Sequence, residues 1–250
     1  HAMVRVEDSW ETLEKFDVLG RTFEEIVFAG LPDSILVLEL LSLAPVECVS
    51  ENRVREWISK ALLQKRWVLV LQILRYCRFE TVRIFYTQKV VAFGWNVFSE
   101  KEISGRMAIM VNILKFYCAL KAVPVVAIDQ TLDFLKKETK RSRACTIAAL
   151  NVLSHSGYKI GGEEAAIIAS LLKKETDFGV IKAISKTRLW VEKNSKVYNV
   201  LKEFIPSKIN VLCEVLSGKC YGNGRDKLVS DLLEMCNKQS KVDDNDWASI

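Results

Sequence analysis

The pentapeptide Leu-Lys-Lys-Glu-Thr stands at 135–139 and again at 172–176, 37 residues apart. Recurrence at a fixed distance marks repeat architectures, in which one supersecondary unit covers its apolar face only against the next copy. The flanks keep the same rhythm. PVVAIDQTLDF precedes the first copy and GGEEAAIIASL the second; KRSRACTIAALNVLSHSG and DFGVIKAISKTRLWVEKN follow them. Apolar residues recur at helical spacing in all four. A further 37 residues back, Arg106 falls opposite Arg143, with an apolar helix after each. Stacked two-helix units are expected; the alternative is an irregular all-helical domain in which the repeat is coincidence.

Turn chemistry points the same way. Eleven glycines and four prolines in 250 residues leave few hairpin signals, and a chain half hydrophobic is not disordered. Asp8 or Ser9 caps a first helical stripe through Ile26, Pro32 opens DSILVLELLSL, and Ser50 caps ENRVREWISKALL. WVLVLQILRYC lacks turn signals and reads as a helix rather than a buried strand. TVRIFYTQKVVAF is expected to end near Gly94, and Ser99 with Glu102 forms a capping box for the next helix. Pro124 starts VVAIDQTLDFLKK, Gly157 closes SRACTIAALNVLSHS, and Thr176-Asp177 opens a helix expected to reach Glu192. SKVYNVLKEFI stops at Pro206, INVLCEVLS at Gly218, and RDKLVSDLLEMCNKQ comes last. Residues 1–3 read as a tag remnant, 4–239 as a single helical-repeat domain and 240–250 as a flexible acidic tail. The abrupt start fits a fragment of a longer protein.

Within residues 98–193, RSRACTIAALNVLSHSG resembles the second helix of an armadillo or HEAT unit, where a basic residue precedes an Ala-rich helix. Arg143, Ala144, Ala148, Ala149, Leu150 and Leu153 carry that pattern. The resemblance implies an all-α fold, a right-handed α-solenoid of stacked helical hairpins used as a binding surface. It brings no catalytic residues.

Chemistry is sparse. His155, the only histidine outside the remnant, sits at a helix C-terminus, where it meets the last carbonyls. With no second histidine and no paired cysteines, a zinc site or a Cys–His arrangement has no partners. Gly161-Gly162 is followed by Glu163-Glu164 where a phosphate loop needs Lys and Ser or Thr. Tyr221-Gly222-Asn223-Gly224-Arg225 reads as a hinged loop, with an anion cradle of backbone N–H groups as the lesser reading. Adjacent carboxylates such as Glu24-Glu25 diverge by about 100° on a helix. Neither an enzyme nor a cofactor is expected. Seven scattered cysteines fit a reducing compartment, cytoplasm or nucleus, and no stretch is apolar enough to span a membrane.

Charge is the functional signal. Residues 1–135 hold 16 basic and 17 acidic side chains, whereas 136–241 hold 20 and 11. Lys136, Lys137, Lys140, Arg141 and Arg143 gather between two helices, and Lys182, Lys186 and Lys193 are expected along one side of the next. Lys140, Arg141 and Arg143 fall where a helix N-terminus repels cations, unless a phosphate or an acidic side chain lies nearby. A solvated face accounts for many such runs, but the excess favours an anionic partner. The expectation is a non-catalytic scaffold of a larger intracellular assembly that binds an acidic protein segment through these eight residues. Nucleic-acid backbone binding is the alternative. Aromatics are thin in this half, and Trp190 is read as core.

Overall fold

The computed structural model describes residues 14–15, 17–29, 34–45, 47–99, 105–137, 142–174, 177–205 and 207–247. The chain is predominantly helical, with three short strands among the described residues, and divides into two compact units, His1–Ala122 and Val123–Ile250.

The first unit contains α1 (Val18–Thr22), a π-helical turn (Phe23–Val27), α2 (Ser34–Leu43), α3 (Glu51–Leu63), α4 (Trp67–Tyr76), α5 (Glu80–Ser99) and α6 (Arg106–Ala119). Asp17, in the left-handed region, breaks the expected long first helix, and the π turn follows α1. That turn places Phe23 flat on Trp57, with ring centroids 3.8 Å apart, and Trp57 Nε1 donates to Glu24. Ser50 caps α3 by accepting from the Arg53 N–H. WVLVLQILRY is helical because it is packed on several sides: Leu69, Val70, Leu71, Ile73 and Leu74 are buried, and α4 touches α2, α3, α5 and α6.

Two expectations fail in this unit. Gly94 does not end its helix; it is buried inside α5, which runs on to Ser99. Ser99 is the last residue of α5, and the N-cap of α6 is Gly105 in the left-handed region. Glu102 and the proposed caps Asp8 and Ser9 lie outside the described residues, as does Pro32. Arg106 donates to the Val97 and Phe98 carbonyls at the end of α5.

The second unit runs α7 (Val125–Lys137), α8 (Arg143–Ser156), β1 (Lys159–Ile160), α9 (Gly162–Lys174), α10 (Phe178–Ser185), β2 (Arg188–Trp190), α11 (Lys196–Glu203), α12 (Ile209–Ser217), β3 (Cys220–Tyr221) and α13 (Asn223–Trp247). Helix α9 touches α7 and α11, and α11 touches α13; in the second layer α10 touches α8 and α12. The strands pair in parallel in the order β1-β2-β3, with Ile160 opposite Leu189 and Leu189 opposite Cys220. The Leu-Lys-Lys of both pentapeptides closes a first-layer helix, with Leu135 and Leu172 buried to 1% exposure; their Glu-Thr lies outside the described residues. Leu201-Lys202-Glu203 does the same for α11, and Leu201 is fully buried.

The helix expected to reach Glu192 ends at Ser185. Thr187 turns the chain there: its N–H and its hydroxyl both donate to the Ile184 carbonyl. The Ser185 carbonyl then accepts from the Lys219 N–H instead of continuing the helix. The strands consequently recur at offsets of 29 and 31 residues rather than 37.

Candidate functional site

The eight basic residues singled out in the sequence do not come together as one stripe. Lys140 and Arg141 lie outside the described residues. Lys136 is exposed in the last turn of α7, and Lys137 pairs with Asp133 at 2.9 Å. Arg143, the first residue of α8, has its Nε 2.8 Å from Asp177 Oδ2. The carboxylate that relieves the penalty of a cation at a helix start is thus internal. Lys182 and Lys186 do share the exposed side of α10 and its C-cap. Lys193 is not on that helix; it lies in the turn after β2, where its N–H donates to Asn223 Oδ1. Helices α7 and α9, thirteen residues each and both ending in Lys-Lys, span about 20 Å from the strand end to that end. Lys136, Lys137 and Arg143 therefore sit at the opposite end of the layers from Lys186 and Lys193.

At the strand end the register builds a different surface. Successive side chains of a strand point to opposite faces. Ile160, Leu189 and Cys220 point inward, at 0%, 1% and 4% exposure. Lys159 and Arg188 are register partners on the outer face. Lys219 continues their row: it is exposed, and its carbonyl accepts from the Leu189 N–H. Two residues further along, Trp190 is opposite Tyr221, the first half-buried and the second 46% exposed. A row of three cations thus runs beside a row of two aromatics, about 6.6 Å away along strands spaced about 4.8 Å apart.

Local interactions hold these groups in place. Helices α8, α10 and α12 all end at this edge, and their C-terminal partial charge favours a cation by about 0.3–1 kcal/mol each. Arg188 donates to the Gly157 carbonyl at the end of α8. Lys159 Nζ rests 3.7 Å from the centroid of the Trp190 ring, a cation–π contact. Trp190, Glu192, Lys193 and Asn223 line an open depression of about 370 Å3 beside the aromatic row.

The Gly222–Arg225 loop is not an anion cradle. The Gly224 N–H donates to the Val191 carbonyl and the Arg225 N–H to the Gly222 carbonyl. A Cβ at Gly222 or Gly224 would run into the Val191–Glu192 backbone. These glycines exist for close packing. Burial pushes the Cys220 thiol up to about 11 and the Cys118 thiol to about 11, so neither is an activated nucleophile. Among the described residues no group of three His, Cys, Asp or Glu is placed to hold a metal, and no helix is long and apolar enough to cross a membrane.

Trp190 was expected in the core and is instead at the surface edge, whereas Tyr198 and Phe204 are buried as core residues. Lys159, Arg188 and Lys219 were not among the basic residues singled out from the sequence, and Tyr221 was read only as part of a hinged loop and one of few aromatics. Their signal is a thrice-repeated triplet of a basic residue, a buried apolar residue and a third outward position: Lys-Ile-Gly, Arg-Leu-Trp and Lys-Cys-Tyr. No family model, curated protein or solved structure matches the chain.

Proposed function

We propose that this protein is a non-catalytic interaction module within a larger assembly, its second unit an α-solenoid of the armadillo/HEAT kind that binds an anionic partner. Support for the solenoid comes from the packing: each helix of a layer touches its neighbours in turn, the one-dimensional pattern of stacked repeats. The row Lys159, Arg188 and Lys219 carries the functional reading, because three cations from distant parts of the chain are brought into one line. An acidic protein segment satisfies such a row by charge alone. Nucleic acid is favoured by the aromatics beside it.

The test is binding of labelled polyanions, a Glu-rich peptide and nucleic acids, at about 0.15 M ionic strength. Wild type is compared with the triple variant Lys159→Glu, Arg188→Glu, Lys219→Glu and with Lys136→Glu, Lys137→Glu. Binding of at least one polyanion is expected, abolished by the triple change and little altered by the double one. If wild type binds none, or if the double change alone abolishes binding, the ladder is not the site.

A further inference from the structure

We infer that the anionic partner is a single-stranded nucleic acid, its phosphates tracked by Lys159, Arg188 and Lys219 and two successive bases stacked on Trp190 and Tyr221. The inference rests on the reading of the strand ladder as an anion-binding face. It adds what charge does not explain. The C-termini of α8, α10 and α12 account for cations at this edge, but they give no reason for an indole and a phenol in the adjoining row. Leaving Tyr221 46% exposed and Trp190 half out of the core keeps apolar surface in water. Side-chain carboxylates of an acidic peptide gain little from such a row. Nucleobases do gain, because every base has a flat face, and a basic track beside aromatic platforms is how single strands are held without base-specific reading.

The dimensions agree. The two rows lie about 6.6 Å apart, two residues along a strand, so a sugar can bridge from a phosphate on the cations to a base on the rings. The rows cross the strands, and neighbouring positions repeat every 4.8 Å or so, which suits a string of similar units. The depression of about 370 Å3 beside Trp190 falls at the lower end of the roughly 300–1,000 Å3 of small-molecule pockets, enough for one base. Lys159 couples the two kinds of contact. Its ammonium lies 3.7 Å from the Trp190 ring centroid, so a phosphate that draws it away uncovers the ring for stacking.

The experiment is fluorescence anisotropy on the full chain at several salt concentrations. The probes are labelled oligouridylate and oligothymidylate of about twelve nucleotides, a duplex of equal length and a Glu-rich peptide. Single strands are expected to bind more tightly than the duplex or the peptide. Tyr221→Ala and Trp190→Leu should each weaken single-strand binding by roughly tenfold and leave the dependence on log salt unchanged. Lys159→Gln should reduce that slope by about one. If the charge-reversed triple variant abolishes binding while the aromatic variants bind like wild type, or if peptide or duplex is preferred, stacking is wrong and the anion-binding module stands. If no polyanion binds, both readings fall. Circular dichroism establishes that each variant is folded; should Trp190→Leu unfold, the exposed Tyr221→Ala decides alone.

Discussion

Arg143 Nε lies 2.8 Å from Asp177 Oδ2, while Oδ1 of the same carboxylate accepts the N–H groups of Gly179 and Val180. One side chain thus caps α10 and neutralises the first residue of α8, tying together the starts of two adjacent second-layer helices. The arrangement pairs Arg143 within the protein, with its side chain still 66% exposed.

Asp177→Ala should destabilise the protein by about 1–2 kcal/mol, the worth of an N-cap at the upper part of its range. Asp177→Asn keeps a capping oxygen and should lose only the partly exposed ion pair, about 0.2–1 kcal/mol. Urea unfolding of the two variants checks the order.

If the Leu-Lys-Lys-Glu-Thr copies are equivalent parts of stacked units, their leucines must matter and their lysines must not. Leu135→Ala, Leu172→Ala and Leu201→Ala, all at fully or nearly fully buried positions, should each cost about 2–5 kcal/mol. Lys136→Ala should stay within about 0.5 kcal/mol of wild type. Equilibrium denaturation of the four variants gives the comparison, and a neutral Leu201→Ala would exclude the third copy.

Gly162 and Gly222 both follow strands and both have positive φ, at +52° and +100°. Around Gly162 a Cβ meets open space, whereas at Gly222 it runs into the Val191 carbonyl. Gly162→Ala should cost about 1–2 kcal/mol for the left-handed backbone alone. Gly222→Ala should cost more than that, because β2 and β3 must also separate. Thermal unfolding with circular dichroism detects the difference.

Burial disfavours the thiolate and pushes the thiols of Cys118 and Cys220 up to about 11 in the fold, against 9.0 for a free thiol. Between those values the unfolded chain has lost protons that the folded chain retains, so unfolding free energy falls as pH rises. Their contribution to stability should be whole below pH 9 and lost by about pH 11. Denaturation at stepped alkaline pH should show a smaller loss in the Cys118→Ala, Cys220→Ala variant than in wild type.

Local chemistry made much of the helical layout readable. Ser50 caps the helix it was expected to cap, Asp177 caps the helix that Thr176-Asp177 was expected to open, and Gly157 ends α8 with φ +66°; Ser142 caps α8, a role the sequence expectations did not include. These devices act within four residues, so a linear reading can find them. Gly94 was misjudged because burial within α5 overrode a weak local preference. The candidate site was hidden for a different reason. Strands of two or three residues show no periodicity, and they form here through pairing across offsets of 29 and 31 residues.

The sequence by itself determined the predominantly helical character, several of the helix caps, the absence of paired metal-ligand motifs and the positive excess of residues 136–241. Only the tertiary structure decided which of those charges is engaged internally and which is presented outward. Asp177, 34 positions after Arg143, takes that guanidinium, and backbone pairing aligns Lys159, Arg188 and Lys219 beside Trp190 and Tyr221. Helix caps act through neighbours along the chain; a surface row is set by neighbours in space, which packing alone supplies.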